Sequence, residues 1–184
     1  MPDSIYSYVP QYAAAQGARP TPRALVAWGV VAAGALVFFA ALFAAPYAAA
    51  GGHFSLARSL YDGFGVICHQ QPARSFHAWG MPLAVCARCA GLYAGFAAGA
   101  ILYPLFRTLG RTDAPARRWL FLAAAPTSID FLLGLSGLWE NTHLSRSLTA
   151  ALLGAVAALY VVPGAVDFAA SRGRKLFRVR AARS

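Results

Sequence analysis

All three cysteines of the chain lie between positions 68 and 89. His69 follows Cys68 directly, and Cys86 and Cys89 form a Cys-x-x-Cys motif. Three cysteines with one histidine are an established tetrahedral ligand set for zinc. Arg88 and a helix N-terminus would both favour the thiolate form that a metal ion requires. The residue types and their spacing therefore predict a zinc site made by Cys68, His69, Cys86 and Cys89.

Other interpretations of these residues stay open. Cys86 and Cys89 could form a disulfide in an oxidising compartment, with Cys68 as the attacking or resolving thiol. Membrane thiol oxidases that use quinones have a similar size and four-helix layout, which is an analogy of fold. The cysteines could also be inert, because free cysteine packs readily as a small apolar side chain. His77 and His143 are the alternatives for the fourth metal ligand.

The composition is that of a membrane protein. Hydrophobic residues make up 59% of the 184 residues and charged residues only 12%, against roughly 25% charged in soluble domains. A helix that crosses a bilayer needs about 20 apolar residues, and lipid requires its backbone groups to be bonded internally. The sequence thus predicts an all-α integral membrane four-helix bundle within residues 24–166. The predicted spans are about 24–50, 82–106, 119–139 and 144–166.

The segments outside the spans indicate how the chain is oriented. Residues 1–23 are predicted to be a mobile cytoplasmic arm and residues 167–184 a basic cytoplasmic tail. Residues 54–66 are predicted to form an amphipathic helix at the membrane interface. Only Arg58, Arg74, Arg88 and Arg146, of the sixteen basic residues, would then lie opposite the termini. This positive-inside bias predicts a protein of the cell (inner) membrane with both termini in the cytoplasm and the cysteines outside.

The net charge of +10 is placed for contact with lipid headgroups. Basic residues cluster at the ends of the apolar runs, where they meet anionic headgroups. The tail lacks the folded module or interleaved aromatic residues that nucleic-acid binding would need. The lipid bilayer is therefore the expected partner, and nucleic acid is not expected to bind.

Asp130 is the acid of the third run, and an acid within a span usually faces the bundle interior. At 1.5 Å per residue it should lie roughly 9 Å deeper than Cys89, which disfavours it as a ligand of the same metal. We expect it to close the floor of a polar cavity, where it would pair with Arg88 or Arg146. The alternative is an acid satisfied by the neighbouring hydroxyls of Thr127 and Ser128.

Three glycines are spaced four residues apart along the second run, at Gly91, Gly95 and Gly99. Small residues at this spacing let two helix backbones approach closely. The stripe is expected to serve packing inside the bundle or the contact of a homo-oligomer with a second copy.

The sequence Cys-His-Gln-Gln-Pro-Ala-Arg-Ser over residues 68–75, followed by Cys-Ala-Arg-Cys-Ala-Gly over residues 86–91, resembles a known family. It is similar to the small bacterial and archaeal membrane proteins grouped as domain of unknown function 2085. The resemblance covers about residues 60–164. It implies a pattern of candidate residues without a named activity, namely Asp130, Arg74, Arg88, Arg146 and Asn141, which we expect to line the cavity.

Taken together, these residues predict an extracytoplasmic Cys/His metal site beside a polar intramembrane cavity. The cavity would receive a lipid-borne or anionic substrate, with a metal-activated water as the reacting group. The first alternative is a membrane thiol-disulfide oxidoreductase linked to a quinone. The second is a non-enzymatic partner or transport protein, in which a fully ligated metal is structural.

Overall fold

The computed structural model describes residues 20–110 and 113–181, with side chains up to Ser171. The first part of the predicted arm, to residue 19, and the last residues of the tail lie outside the described residues. The described chain forms α1 (Pro22–Ala41), α2 (Ala44–Ala50), α3 (Phe54–Gly65), α4 (Ala87–Phe106), α5 (Arg118–Leu135) and α6 (His143–Ala181). A 3-10 turn at Pro72–Arg74 precedes two short antiparallel strands, β1 (His77–Ala78) and β2 (Met81–Pro82).

Four helical segments are long and apolar enough to cross a membrane, which confirms the predicted fold class. They are Pro22–Ala50, Ala87–Phe106, Arg118–Leu135 and His143–Ser171. The second membrane-length helix, α4, begins at Ala87. It starts later than the apolar run, which begins at residue 82, because β2 pairs with β1 in a small hairpin. The third membrane-length helix, α5, ends at Leu135. Gly137 follows with a φ of +71°, which turns the chain toward α6.

The first span is interrupted between α1 and α2, and Pro46 leaves one backbone carbonyl there without its usual helical partner. Pro46 has no backbone N–H, so it cannot bond to the carbonyl of Leu42 one turn earlier. That carbonyl instead accepts a hydrogen bond of 3.3 Å from the backbone N–H of Ala84. The interruption therefore anchors the segment that leads to Cys86 on the first span.

The interfacial helix predicted over residues 54–66 is present as α3. Ala57 is its buried residue, whereas Phe54 and Leu56 are 70% and 55% exposed in the isolated chain. Arg58 and Asp62 form an exposed ion pair of 3.8 Å one turn apart. Apolar and charged side chains on one short helix are typical of a helix that lies in the membrane interface.

The glycine stripe of α4 packs directly against α6. A Cβ atom added at any of its three glycines would overlap the backbone of the facing helix. The pairs are Gly91 with Ser147, Gly95 with Ala151, and Gly99 with Ala155. Of the two roles expected for the stripe, packing within the bundle is the one that the structure contains.

Two apolar clusters hold the helices together. One joins α1, α4 and α6 around Ala100, Tyr103 and Val162, and the indole Nε1 of Trp28 donates a 2.7 Å hydrogen bond to the carbonyl of Ala100. The other surrounds the cysteines and includes Leu42 and Val85, both fully buried. The second cluster fixes the loops that carry Cys68 and Cys86 at one end of the bundle. This end, where α4 and α6 begin and α5 ends, is called the cysteine end below.

Candidate metal centre

Gln70 holds together the two loops that carry the cysteines. Its side-chain Nε2 donates hydrogen bonds of 2.7 Å to the carbonyls of Tyr61 and Ala84. The hydroxyl of Tyr61 donates in turn to the carbonyl of Pro82 at 2.6 Å. Gln70 has a φ of +48°, a left-handed conformation that non-glycine residues rarely adopt. The backbone turn after His69 is thus maintained by bonds that reach across both loops.

The turn that carries Arg74 is fixed from below by Ser75. Ser75 is fully buried, and its hydroxyl donates a 3.0 Å hydrogen bond to the carbonyl of Gln71. The backbone N–H of Arg74 donates to the same carbonyl at 2.9 Å. The motif's Arg-Ser pair therefore consists of one arginine on the cavity and one serine that positions it.

The three cysteine sulfurs form a compact group. Cys68 follows α3, Cys86 is the N-cap residue of α4, and Cys89 lies in its first turn. Their Sγ atoms all lie within 4.8 Å of one another, and all three thiols are free. The backbone N–H of Cys86 donates to the sulfur of Cys68 at 3.2 Å. Residues far apart in the sequence are brought together at one point.

The thiol of Cys86 has a lowered pKa. A hydrogen bond from the Cys89 side chain is the main cause that lowers the pKa of Cys86 to about 5, and it outweighs the opposing effect of burial. Backbone N–H groups at the start of α4 act in the same direction. The lowered pKa of Cys86 favours the thiolate at neutral pH, and the thiolate is the form that ligates metals and attacks disulfides.

The histidines predicted as the fourth ligand differ in their surroundings. His69 is exposed and lines the same cavity as the sulfurs, but the group within 4.8 Å comprises the three sulfurs alone. His77 is exposed in β1. The ring of His143 is 3.1 Å from the carbonyl of Ala73 and 5.7 Å from the ring of Phe76, which ties the start of α6 to the loop.

Asp130 is buried and lies between three elements. Its carboxylate accepts from Arg88 at 2.6 Å and from the Ser145 hydroxyl at 2.9 Å. Asn141 donates through its side-chain amide to the backbone carbonyl of Asp130. The Arg88 guanidinium also lies over the Phe131 ring, 5.3 Å from its centre. Of the two partners predicted for Asp130, the ion pair is with Arg88.

Ser145 was not predicted as a site residue, and it performs the role expected of Thr127 and Ser128. Ser145 lies in the first turn of α6, whereas the predicted hydroxyls belong to Asp130's own helix. The Thr127 hydroxyl is buried without a hydrogen-bond partner among the described residues. A serine in a helix start carries no sequence signal for a contact with an acid of another helix, so only the packing of α5 against α6 reveals it.

A cavity of about 590 Å³ opens beside the cysteines. Besides the three sulfurs, its polar lining includes Arg74, Arg88, Arg146 and Asn141. Asp130 lies behind Arg88 and contacts it. The predicted ligands Cys68, His69, Cys86 and Cys89 and the predicted cavity residues are thus all at this cavity or in direct contact with its lining, whereas the alternative ligands His77 and His143 do not line it. Three lining residues of α5 were not anticipated because they are apolar or glycine, namely Phe131, Gly134 and Leu135.

Fold and site together define a membrane protein with four candidate spans and a cluster of free cysteines beside an arginine-lined cavity. The family described as "Predicted membrane protein (DUF2085)" matches residues 68–160, and the chain belongs to that family, domain of unknown function 2085. The resemblance seen in the sequence is confirmed.

Two archaeal proteins illustrate the relationship. An uncharacterized protein of Methanocaldococcus jannaschii is 36% identical over 133 residues, which cover 70% of this chain and 85% of that protein. An uncharacterized protein of Methanothermobacter thermautotrophicus is 36% identical over 86 residues, or 47% of this chain and 76% of that protein. No solved structure matches the chain.

Proposed function

We propose that this membrane protein holds one zinc ion on the sulfurs of Cys68, Cys86 and Cys89. The observation that carries the proposal is the mutual distance of the sulfurs, all within 4.8 Å. In a tetrahedral site with Zn–S bonds of about 2.3 Å, sulfurs lie about 3.8 Å apart. The sulfurs therefore need only small side-chain adjustments to bind one ion, and the lowered pKa of Cys86 favours the thiolate that a metal ion requires.

His69 is proposed as the fourth ligand. It is exposed, it follows Cys68 directly, and it lines the cavity that the sulfurs share. A side-chain rearrangement that brings His69 to the ion would close the site and make the metal structural, as in a non-enzymatic protein. If a water or substrate replaces His69, the metal can polarise it, which is the requirement for metal-assisted catalysis.

The proposed substrate is lipid-borne or anionic. Arg74, Arg88 and Arg146 line the cavity, and Asp130 is the acid that pairs with one of them. The cavity also lies at the end of membrane-length helices, where a lipid headgroup would be located. In this proposal the arginines and Asn141 bind the substrate next to the metal, and Asp130 positions Arg88.

Metal analysis of the purified full-length chain tests the proposal. We expect about one zinc per chain. Replacing any one cysteine by serine should lower the zinc content by about tenfold or more, because every sulfur is an equal ligand. His69→Ala should weaken zinc binding less, since three thiolates remain. His53→Ala is the matched control, because His53 is also exposed but does not line the cavity. Equal zinc content in the Cys68→Ser variant and the parent would contradict the proposed site.

A thiol-disulfide oxidoreductase is the second candidate, and the lowered pKa of Cys86 beside Cys89 favours it. In that case the Cys86 thiolate and the Cys89 thiol become a disulfide and release two electrons and one proton, and a quinone takes these together with one proton from water to become the quinol, with Cys68 as the third thiol. Alkylation under non-reducing conditions separates the two candidates. In a zinc site all three thiols react together after chelation and unfolding. Absence of metal, with Cys86 and Cys89 unreactive until a reductant is added, would support the redox function.

The proposed location of the site outside the cytoplasm is tested by reporter fusions. A reporter fused after residue 175 should report the cytoplasm, and one inserted within residues 51–59 should report the outer side. The physical reason is the concentration of basic residues at the opposite end of the spans from the cysteines. A cytoplasmic signal from residues 51–59 would reverse the orientation and place the cysteines in a reducing compartment.

A further inference from the structure

Three arginines at the cavity carry more positive charge than Asp130 and the Cys86 thiolate together can balance. Arg88 is paired with Asp130, and the second oxygen of that carboxylate is occupied by Ser145. Within the described part of the chain, no carboxylate lies within ion-pair distance of Arg74 or Arg146. Arg146 is repelled by Arg74 and Arg88 and is attracted more weakly by Asp130 and Cys86. Three like charges around one cavity destabilise each other unless an anion lies between them.

Buried donors in the cavity wall also have no acceptors. The Nε atoms of Arg88 and Arg146 are buried, and neither has a hydrogen-bond partner among the described residues. A buried donor without a partner costs free energy, and more so when the group is charged. Both arginines line the cavity. A ligand with several acceptor oxygens would satisfy these groups as well as balance the charge.

One wall of the same cavity is apolar and is exposed at the surface of the isolated chain. Ile67, Phe131 and Leu135 line the cavity while being 49%, 49% and 72% exposed. Next to them Val66 and Leu138 are 86% and 78% exposed. Residues 131 and 135 are at the end of a membrane-length helix, where apolar exposed side chains contact lipid. The cavity therefore joins a cationic side to an exposed apolar side at the end of a membrane-length helix.

We infer that this cavity binds a phosphate-class anion, held by Arg74, Arg146 and Arg88. The inference deepens the proposed function, on which it rests, by naming the chemistry of the substrate. A phosphoryl group offers several oxygens to separate guanidinium groups, which a single carboxylate cannot do equally well. The phosphoryl group belongs either to the headgroup of an anionic lipid or to free phosphate. Only a lipid would also contact the apolar wall, so a substitution in that wall distinguishes the two sources.

Binding measurements on the full-length chain, reconstituted in phosphatidylcholine nanodiscs, test the inference. The probes are inorganic phosphate and a short-chain phosphatidic acid, titrated by calorimetry. Arg146→Gln should raise the Kd by about tenfold or more, because a charge-assisted contact is lost. Arg74→Gln should raise the Kd to a similar extent. This second variant leaves the membrane-length helices unchanged, because Arg74 lies in the turn Pro72–Arg74. Arg58→Gln is the matched control at the same end of the bundle, because Arg58 is exposed and does not line the cavity.

Leu135→Ser separates the two sources. For a lipid headgroup this variant should weaken the binding of phosphatidic acid and leave that of inorganic phosphate unchanged. If each probe binds the parent and the Leu135→Ser variant with the same Kd, the site is assigned to free phosphate. Failure of both probes to bind the folded parent, or an equal loss in Arg58→Gln and Arg146→Gln, would overturn the inference.

Zinc content, measured on the same samples, keeps this inference distinguishable from the metal site. Zinc without anion binding would contradict the anion site alone. Anion binding without zinc would contradict the metal site alone.

Discussion

Gly95→Val is expected to prevent the bundle from forming its native packing. A Cβ at Gly95 would overlap the backbone carbonyl of Ala151, and backbone atoms cannot rotate away as side chains do. The α4 and α6 backbones would have to separate along the stripe, which removes the close contact that small residues allow. Overpacking of a well-packed interface costs about 1–3 kcal/mol and more when backbone must move. We expect a loss above about 3 kcal/mol.

Gly29→Val provides the matched control, because Gly29 also lies in a membrane-length helix but has nothing within 4 Å of an added Cβ. It should leave the thermal unfolding midpoint in detergent nearly unchanged. The Gly95→Val protein should instead aggregate or unfold well below the parent. Indistinguishable midpoints for the two valine variants would show that α4 and α6 do not approach each other through this glycine.

Asp130→Leu is expected to destabilise the cysteine end by about 3–5 kcal/mol, the cost of leaving one partner of a buried ion pair uncompensated. Asp130 is 8% exposed, and Arg88 would lose its 2.6 Å partner. Asp130→Asn should cost clearly less, because its side-chain oxygen can still accept from Arg88 or Ser145. The rank order, with Leu worse than Asn, is the result that the geometry requires.

Unfolding of purified protein, followed by denaturant titration in detergent, measures this order. Asp62→Asn is the control, since Asp62 forms an exposed ion pair with Arg58 and such pairs contribute only about 0–1 kcal/mol. Zinc content should be recorded for every variant to separate loss of metal from loss of the ion pair. Equal stability of Asp130→Asn and Asp130→Leu would show that the polarity of residue 130 contributes nothing.

Several parts of the site could be predicted because they are local in the sequence. The Cys-x-x-Cys motif places Cys86 and Cys89 within one helical turn, so their proximity needs no tertiary information. Arg88 and Asp130 could be proposed as partners because an acid in a span must find a compensating group and few cations are available. The contact itself, at 2.6 Å, is a property of the packed structure.

Other parts depend on contacts that leave no local signal. In the sequence Gln70 is only one position of the Cys-His-Gln motif. In the structure its side chain donates hydrogen bonds to the carbonyls of both Tyr61 and Ala84. Ser145 reaches Asp130 from another helix. Neither residue type nor spacing indicates these bonds, because hydrogen bonds between elements depend on relative position rather than on sequence distance.

The sequence by itself determined the class of the protein, its membrane-length helices and the interfacial helix. The physical reason is that transfer of long apolar runs into lipid is decided segment by segment, largely without regard to tertiary contacts. Tertiary structure decided which face of each helix meets which neighbour. Packing of α4 on α6 used the glycine stripe, and the fold of the loops brought Cys68 to Cys86 and Cys89. The cavity exists only where these separate elements meet, so no single segment could reveal it.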